Sequence, residues 1–476
     1  MNARADVPEE LVGESRGAKP FAWRFISPLY LGSALNPINS SLIATALVPI
    51  ALSLHVPVGK TSILVASLYL ACAIAQPTAG KLSEELGPRR VFLSGIVVVI
   101  IGGVIGGVAH SLALLIVSRV LIGVGTSAGY PSAMVLIRRR AQWAGMGAPP
   151  GGVLGGIAIA GTVTAAVGPP IGGVLVDATS WQAAFLVNVP VGLLALAMAA
   201  AWIPRDRAIE AGVTVSEIAR RVDVIGIAIF ACAMSALLVF LLDLPGAEWG
   251  FLAAADALFV VLVSWELRAS APFIDMRLLV GNLPLTRTYL RGGLSLLGVY
   301  TILYGITQWL EAAHGYSAQG AGLLILPMGA LAAVVSRPIA ARNLVRGPLI
   351  AGAVTALLGS IGVLLLKTSS PAIAIIAVTL LFGVTTGTVS VCNQTALYLQ
   401  APAKLVGTAS GLYRTFSYIG SIASATISSI VFHQKVSDHG LHQIALILIG
   451  VSAVVLLMVL ADRKLRTASN RSEKER

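Results

Sequence analysis

Charged side chains are scarce in this sequence, and five of them gather in one short segment. Only 11% of the 476 residues are charged, yet residues 79–91 (AGKLSEELGPRRV) carry two acids and three bases. These five are Lys81, Glu84, Glu85, Arg89 and Arg90. Long apolar runs flank the segment, so its charges are placed to form ion pairs or to bind a helix end where the chain reverses direction.

Two arginines lie inside apolar runs, where an ionisable group is costly and therefore a candidate for function. Arg119 is the first candidate for binding a substrate or coupling to an ion, and structural pairing with a carbonyl or with Glu84 is the alternative. Arg414 lies within about two turns of one end of its run, so its long side chain is able to reach the membrane surface instead.

The sequence lacks the residue patterns of most enzymes. Cys72, Cys232 and Cys392 are far apart and form no metal-ligand spacing. It contains no Ser-His-Asp arrangement and no His/Glu metal motif, and GVGTSAG (residues 123–129) lacks the lysine of a phosphate-binding loop. We therefore predict that the protein is not an enzyme and has neither a metal ion nor an organic cofactor.

The elements that hold these groups are membrane helices. Hydrophobic residues make up 56% of the chain, the mean hydropathy is +0.86, and continuous apolar runs of about 20 residues recur from end to end. Continuous rather than alternating runs favour helices over a barrel. The net charge of +12 does not indicate nucleic acid, because the basic residues sit in short loops between the runs. The predicted fold class is an all-α integral membrane protein.

We expect about fourteen transmembrane spans. They begin near Phe25, Ser62, Val91, Ser111, Val153, Ala183, Val224, Phe251, Tyr289, Gly320, Pro348, Pro371, Gly407 and Leu441. Arginines concentrate in alternate loops, such as residues 138–140 and 220–221, and the positive-inside rule places these loops and both chain ends in the cytoplasm. The tails are residues 1–24 and 463–476, and the expected location is the plasma membrane, the inner membrane of a bacterium.

An internal repeat divides the chain into halves. AQPTAGKLSEELGPRR, with Gly80, is similar to SRPIAARNLVRGPL, with Ala341, and LIGVGTSAG, with Gly123, is similar to LFGVTTGTV, with Gly383. Both offsets are about 260 residues, as a duplication requires, and chance similarity between spans rich in small residues is the alternative. The offset aligns span 2 with span 10, a shift of eight helices. Two adjacent six-helix halves would shift by only six, so we expect two additional helices between the halves. The predicted units are residues 25–203, 204–288 and 289–462.

These motifs, in this order, resemble those of the major facilitator superfamily. GKLSEELGPRR is similar to the superfamily's loop signature between spans 2 and 3, with Glu84 in place of its aspartate and Pro88 in place of a basic residue. SRVLIGVG resembles the span 4 signature, GTVTAAVGPPIGG the span 5 antiporter motif, and WQAAFLVNVPVG the entry of span 6 in fourteen-span drug:proton antiporters. The resemblance covers about residues 25–462 and implies two six-helix bundles around a central site.

The charged segment is the first expected gate. Gly80 is expected to let two helices approach closely, and Gly87 to permit the reversal of the chain. We expect Glu84 to bind the start of span 13 and lock the bundles in an outward-open state, with Arg89 and Arg90 adding ion pairs. The alternative is that these charges only fix the topology.

Span 5 is the second expected gating element. The resemblance implies a hinge and a seal against ion leak at VGPPIGG, which contains Gly168, Pro169, Gly172 and Gly173. Because glycine and proline bend a helix and allow close packing, a kinked packing helix without a gating role is the alternative.

Span 1 departs from the antiporter pattern. The run NSSLIATALVP places Asn39 where the fourteen-span exporters tend to carry an aspartate, and Pro49 is displaced by one position. Asparagine does not take up and release a proton, so the usual acidic site is missing. With Arg119 and Arg414 but few carboxylates, the central cavity is expected to favour neutral or anionic solutes.

Uncharged polar and aromatic side chains are expected to line the same cavity. Tyr300, Tyr304 and Gln308 recur every four residues on one face of span 9 and form the best candidate for substrate contact. The other candidates are Asn36, Asn39, Gln76, Tyr130, Asn393, Arg119 and Arg414. Taken singly, each is more readily explained by hydrogen bonding between helices.

The predicted function is secondary active export of multiple drugs or other small amphipathic molecules, driven by the proton gradient through alternating access. The predicted partners are the lipid bilayer, a small-molecule substrate and protons, without nucleic acid, and the predicted state is a monomer. An importer of a small organic solute with the same fold is the main alternative, which the span 5 motif disfavours. A receptor or scaffold is disfavoured because no loop is longer than about 25 residues.

Overall fold

The structure, a computed structural model, describes residues 20–146, 150–206, 214–242, 246, 248–270, 272–274, 276–342, 344–401 and 406–462. Within these ranges the chain forms long helices and no β-strand, so the predicted helical fold is confirmed. Twelve of these helices are long and apolar enough to cross a membrane. Two further helices, Gly151–Ala178 and Val406–Val431, occupy the positions predicted for spans 5 and 13.

Six long helices build each half, and two lie between them. The first half contains α1 (Trp23–Leu42), α2 (Ile63–Glu85), α3 (Pro88–Gly107), α4 (Leu112–Ser127), α5 (Gly151–Ala178) and α6 (Asn188–Trp202). Two helices that lie between these sets in the chain, which we call the inserted pair, are α7 (Val224–Leu242) and α8 (Trp249–Glu266). The second half contains α9 (Leu283–Ala312), α10 (Ala318–Ala341), α11 (Arg346–Leu364), α12 (Ala372–Gln400), α13 (Val406–Val431) and α14 (Asp438–Ala461). Shorter helices are Leu47–Ser53, Val58–Thr61, Gly129–Trp143, Ala183–Leu186, Val215–Val222 and Met276–Gly281.

The two halves repeat one helix contact. Gly123 of α4 packs on the carbonyl of Leu68 in α2, and Gly383 of α12 packs on the carbonyl of Met328 in α10. A Cβ on these glycines would lie 2.8 Å and 2.6 Å from the two oxygens, so both contacts require glycine. Each contact joins the second and fourth helices of its half, which is the packing that a duplicated half would repeat.

The halves meet along two helix pairs. α2 packs on α13, and α5 packs on α10. The inserted helices α7 and α8 pack on each other, and α7 also contacts α2 and α13. We call the face that contains residues 85–90, the turn between α2 and α3, the arginine-rich face, and the other end of the bundle the opposite face. The inserted pair therefore touches the boundary between the halves from outside.

The halves are packed together at the opposite face. Gly173 of α5 lies against the carbonyl of Ala318 at the start of α10, and Gly322, one turn further, lies against the carbonyl of Pro169. Towards the arginine-rich face, a Cβ on Gly411 of α13 would meet no described atom of another helix within 4 Å. The structure therefore represents a state that is closed at the opposite face.

The outer surface of the bundle is apolar. On α3, the side chains of Val97, Ile101 and Val104 lie along one face and are 41–47% exposed. Large exposed apolar faces are costly in water and are normal where lipid covers a helix. The protein is therefore embedded in a bilayer.

Candidate functional site

Four tyrosines lie where the two halves meet, and we call them the tyrosine layer: Tyr69 of α2, Tyr300 and Tyr304 of α9, and Tyr418 of α13. The hydroxyl oxygens of Tyr69 and Tyr304 are 3.1 Å apart. Tyr304 donates its single hydroxyl hydrogen to the carbonyl oxygen of Ser40 in α1, at 2.6 Å, so Tyr69 is the donor to Tyr304. Hydrogen bonds therefore run from the first half to the second and back.

The rings of the tyrosine layer also pack together. The Tyr69 ring centroid lies 5.1 Å from that of Tyr300 and 5.8 Å from that of Tyr418. The Tyr418 hydroxyl donates to the side-chain oxygen of Gln76 in α2. Since aromatic pairs add about 0.5–1.5 kcal/mol beyond the area they bury, the layer holds the halves together at this depth. Sequence reasoning selected Tyr300, Tyr304 and Gln76, and the structure brings these three together.

Gln308 lies one turn beyond Tyr304 on α9 and is fully buried. Within the described chain, neither its amide nitrogen nor its amide oxygen has a hydrogen-bond partner. A buried polar group without a partner costs about 1–3 kcal/mol. Its amide is thus free to bind a polar group of a molecule that enters next to the tyrosine layer.

Arg119 of α4 is 2% exposed and is held by backbone carbonyls. Its Nε donates to the carbonyl of Leu64 at 2.9 Å, and its Nη1 donates to the carbonyl of Asn39 at 3.2 Å. Its Nη2 has no hydrogen-bond partner among the described residues. The pairing with Glu84 that the sequence left open is not seen, and the alternative of a carbonyl partner is. A buried guanidinium with one open N–H group favours a ligand that carries an acceptor or a negative charge.

Asn39 makes a reciprocal amide pair with Asn188 of α6. Its Nδ2 donates to Asn188 Oδ1 at 2.7 Å, and Asn188 Nδ2 donates to Asn39 Oδ1 at 2.9 Å. Both side chains are buried, so the pair fastens α1 to α6 within the first half. Sequence reasoning missed Asn188 as a partner, although it is the asparagine of WQAAFLVNVPVG. Asn36, one turn away, donates to Thr126 Oγ1 at 3.0 Å.

Arg414 of α13 places its guanidinium over the ring of Tyr130, with 4.0 Å between the guanidinium carbon and the ring centroid. Tyr130 belongs to the first half, so this cation–π contact is a further bridge between the halves. Such contacts contribute about 0.5–2 kcal/mol, depending on solvent exposure. The side chain is half-buried beside Tyr130 rather than extended to the surface.

Asn393 does not join this group. Its Oδ1 accepts a hydrogen bond from Nε of Arg291 in α9 at 2.7 Å, inside the second half. Arg291 is fully buried, also donates to Thr288 Oγ1 at 3.1 Å, and lies 3.7 Å from Asp462 Oδ2. Asn393 was expected to line the cavity because it is polar. It instead accepts a hydrogen bond from Arg291, a buried arginine that was not among the candidates.

The arginine-rich face differs in detail from the expected gate. Glu84 lies 3.9 Å from Arg138 of its own half, not beside Arg89 or Arg90. The backbone N–H groups of Arg89 and Arg90 instead donate to the carboxylate of Asp206, at 3.2 Å and 2.8 Å, which caps α3. Residues 402–405, which precede α13, the expected partner of Glu84, lie outside the described ranges.

Two glycines of this segment behave differently. Gly87 has φ +102°, a left-handed conformation that favours glycine, in line with the expected reversal of the chain. A Cβ on Gly80 would lie 3.8 Å from Pro131 Cβ, which is an ordinary contact. The close approach expected at Gly80 is therefore absent, because the neighbouring helix presents a proline side chain there.

Glu85 reaches the short helix that precedes α7. Its carboxylate pairs with Arg221 at 2.8 Å, and Arg221 also pairs with Glu217 at 3.1 Å. These two hydrogen bonds, with Glu85 first, raise the pKa of Arg221. The turn between α2 and α3 is thus tied to the inserted helices at the surface.

At the opposite face, one carboxylate bridges the halves. Asp177 near the end of α5 accepts a hydrogen bond from the backbone N–H of Gln319 at 2.9 Å. Ser317 accepts from Gly320 N at 3.1 Å, so two side chains cap the first turn of α10. Nearby Glu311, at the end of α9, has one carboxylate oxygen buried without a partner in the described chain.

The glycines expected in span 5 line this closed region. A Cβ on Gly168 or Gly172 would collide with Ser41 and Leu42 of α1, and one on Gly173 with the backbone of α10. α5 therefore packs tightly on both halves, as a seal requires, with Pro169 and Pro170 inside the helix.

The group as a whole is suited to binding rather than to covalent chemistry. It offers aromatic faces, tyrosine hydroxyls, the Gln308 amide and two guanidinium groups, those of Arg119 and Arg414. Among the described residues, the acids are at the two faces or on the inserted helices rather than in the tyrosine layer. Stacking and hydrogen bonding of a molecule with an apolar body and polar or negative groups fit this composition.

Comparison with known proteins gives a family. The Major Facilitator Superfamily model matches residues 29–425. The uncharacterized MFS-type transporter YwoD of Bacillus subtilis is 31% identical over 451 residues, which cover 94% of this chain and 98% of that protein. The tetracenomycin C resistance and export protein of Streptomyces glaucescens is 28% identical over 438 residues, which cover 89% of this chain and 78% of that protein.

Among solved structures, a mutant of the nucleoside transporter NupG superposes with a TM-score of 0.63 over 92% of this chain and 99% of that one. The sequence identity is 11%, so this similarity concerns the fold alone.

Proposed function

The chain belongs to the major facilitator superfamily, and from this premise we propose that it is a secondary active exporter of small amphipathic molecules. Two six-helix halves would rock about the tyrosine layer, opening the arginine-rich face and the opposite face in turn. The arginine-rich face would be cytoplasmic, and the membrane would be the inner membrane of a bacterium.

The observation that carries this proposal is the bond chain from Tyr69 through Tyr304 to Ser40. It crosses the boundary between the halves twice, and carriers built from repeats bind their substrates at the interface between the repeats. A substrate that replaced these bonds with its own would lower the cost of separating the halves. Binding and movement would then be linked, since a ligand shifts a conformational equilibrium only by its differential affinity.

We propose that the substrate is neutral or negatively charged. Arg119 Nη2 and the Gln308 amide supply open hydrogen-bonding groups, and the acids of the described chain lie away from the layer. Export is favoured by the relative in Streptomyces glaucescens, which is named as a resistance and export protein, and by the tight seal of α5.

Glu311 and Asp177 would couple transport to protons in place of the span 1 aspartate, whose position Asn39 occupies here. The charge of Asp177 acts on Glu311, and the two residues belong to different halves. A proton arriving at the opposite face would remove the repulsion between two carboxylates and favour closure there. Loss of the proton would favour opening. A proton bound after the substrate has left on the outside would close the opposite face and so favour the inward-facing state. Antiport requires this sequence of steps.

A growth screen tests the proposal. Cells that express the protein are grown against a chemically diverse panel, with and without an uncoupler, beside cells that express Tyr304→Phe. Export predicts resistance to some neutral or anionic compounds, its loss in the uncoupler, and weaker resistance in the variant. Sensitisation by the wild type would instead indicate import, and resistance to organic cations alone would contradict the proposed substrate class.

A further inference from the structure

A second group of buried charges lies away from the tyrosine layer, where the inserted helices meet the end of α2. It contains Lys81 of α2, Asp223 just before α7 and Glu266 at the end of α8. Asp223 is 5% exposed and Glu266 is 1% exposed. A methyl group added at Gly226 would collide with carboxylate oxygens of both, so the two acids converge on one point. Buried charges at such close range require compensation.

Asp223 is compensated by hydrogen bonds. Its Oδ1 accepts from the backbone N–H of Gly226 at 3.0 Å and from Trp265 Nε1 at 2.9 Å. Its Oδ2 accepts from the backbone N–H of Phe273 at 3.0 Å. Three N–H donors from α7, α8 and the following loop stabilise a carboxylate here. Asp223 is thus a fixed anion that holds the inserted pair together.

Glu266 lacks such support. Neither carboxylate oxygen makes a hydrogen bond of normal geometry within the described chain, although the amides of Phe273 and Ile274 lie nearby. The charges that act on it are those of Asp223 and Lys81. One ammonium faces two carboxylates, so an ionised Glu266 leaves one buried negative charge uncompensated. A proton on Glu266 removes that charge.

Among the described residues, other charged groups near the cluster make contacts outside it. Arg221 pairs with Glu85 and Glu217 on the surface, and Glu84 lies beside Arg138. Arg277, in the short helix before α9, donates to the carbonyl of Leu267. Arg268 follows Glu266 at the surface, and α7 carries no acidic or basic residue. Among the described residues, the charges that act on Glu266 are those of Asp223 and Lys81.

Lys81 links this balance to the turn between α2 and α3. Its Nζ donates to the carbonyl of Pro272 at 3.1 Å, in the loop after α8, and Glu84 lies on the next turn of the same helix. An ionised Glu266 attracts the ammonium and strengthens this docking, whereas a protonated Glu266 does not. By thermodynamic reciprocity, docking of Lys81 on the loop after α8 favours loss of the proton from Glu266.

We propose that Glu266 is a proton-binding site through which the inserted helix pair controls the position of the α2–α3 turn. Protonation loosens the turn from α8, and deprotonation docks it. This role is independent of the substrate site and of the Glu311–Asp177 pair, so it holds whichever molecule the protein carries.

Spin-label distances in lipid nanodiscs test the proposal. Labels are placed at Arg90→Cys, on the turn, and Leu267→Cys, at the end of α8, in a chain carrying Cys232→Ser. We expect the distance distribution to shift to longer values as the buffer is acidified. Glu266→Gln should show the long distance at every pH, because glutamine mimics the protonated acid. The matched control is Asp256→Asn, an exposed acid of the same helix, which should shift like the wild type.

Infrared difference spectra of the unlabelled protein supply a second readout. The carboxylic acid carbonyl band should grow on acidification, and one component of it should be absent in Glu266→Gln but present in Asp256→Asn. A wild-type distance that does not change with pH, or an unaltered shift and band in Glu266→Gln, would overturn the proposal.

Discussion

Tyr69 and Tyr304 belong to different halves of the molecule, and their hydroxyl oxygens lie 3.1 Å apart. Because Tyr304 gives its own hydrogen to the Ser40 carbonyl, it is at once the acceptor of one bond between the halves and the donor of another. Any rocking of the halves must change both bonds. Tyr304 is therefore the residue at which substrate binding and conformational change meet.

Tyr304→Phe should weaken both substrate binding and the closed state. It removes the donor to Ser40 and the acceptor for Tyr69, and leaving buried groups unpaired costs about 1–3 kcal/mol. We expect the KM of a transported compound to rise by about tenfold and the melting temperature to fall. Tyr316→Phe, on the loop between α9 and α10, is the control and should change neither. A KM and a melting temperature equal to those of the wild type in Tyr304→Phe would show that the tyrosine layer has no role in the mechanism.

Asn39→Asp should make stability depend on pH. The new carboxyl would face Asn188 in a buried position, where burial disfavours its charged form and Arg119 compensates this cost only in part. The folded state then favours the neutral form, so stability is retained at acidic pH and lost as pH rises. Thermal unfolding in detergent at several pH values measures this.

Asn36→Asp is the matched control for that change, since it introduces the same group one turn away at a half-buried position. Its unfolding should vary less with pH. Equal pH profiles for the two variants would contradict the assigned burial of the Asn39–Asn188 pair.

Asp177→Ala should open the opposite face. At acidic pH, where a protonated Glu311 does not repel Asp177, the main effect is loss of the cap that the carboxylate forms on α10 across the boundary between the halves. An exposed cap contributes about 1 kcal/mol, which corresponds to roughly a fivefold change in population. A cysteine introduced at Ala321, which is fully buried in the closed state, should react correspondingly faster with a membrane-impermeant thiol reagent. Asp438→Ala is the control, because Asp438 bonds Trp309 and Thr368 within one half. Equal reactivity in both variants would exclude Asp177 as a latch.

Glu311→Gln should uncouple transport from the proton gradient. The amide keeps the shape of the acid but carries no titrating proton, so gradient-driven accumulation should be lost while exchange of substrate across the membrane continues. Glu248→Gln, an exposed acid at the same face, should accumulate substrate like the wild type. Full accumulation by Glu311→Gln would assign coupling to another group.

The helical fold and the order of the helices were predictable, because long apolar runs report directly on membrane helices. The insertion of α7 and α8 between duplicated halves stays a prediction. Tyr300, Tyr304 and Gln76 were predicted to line the central cavity, with hydrogen bonding between helices as the alternative. They lie where the halves meet, and their contact with a substrate stays a prediction. These signals are local to a single helix.

The partners were not predictable in the same way. Asn393 was assigned to the cavity, whereas it serves Arg291, and Asn39 turned out to need Asn188. Asp206, which caps α3, lies in a loop more than one hundred residues away. Each of these pairings depends on how helices far apart in sequence are rotated against each other, and the apolar pattern of a span does not specify that rotation.

The most direct test of proton-driven export is the uptake of a compound from the growth screen into inside-out membrane vesicles. With the vesicle interior made acidic, wild-type vesicles should accumulate the compound, an uncoupler should release it, and Tyr304→Phe vesicles should accumulate it with a KM raised about tenfold. Accumulation that is unchanged by the uncoupler, or that occurs only in right-side-out vesicles, would contradict proton-driven export.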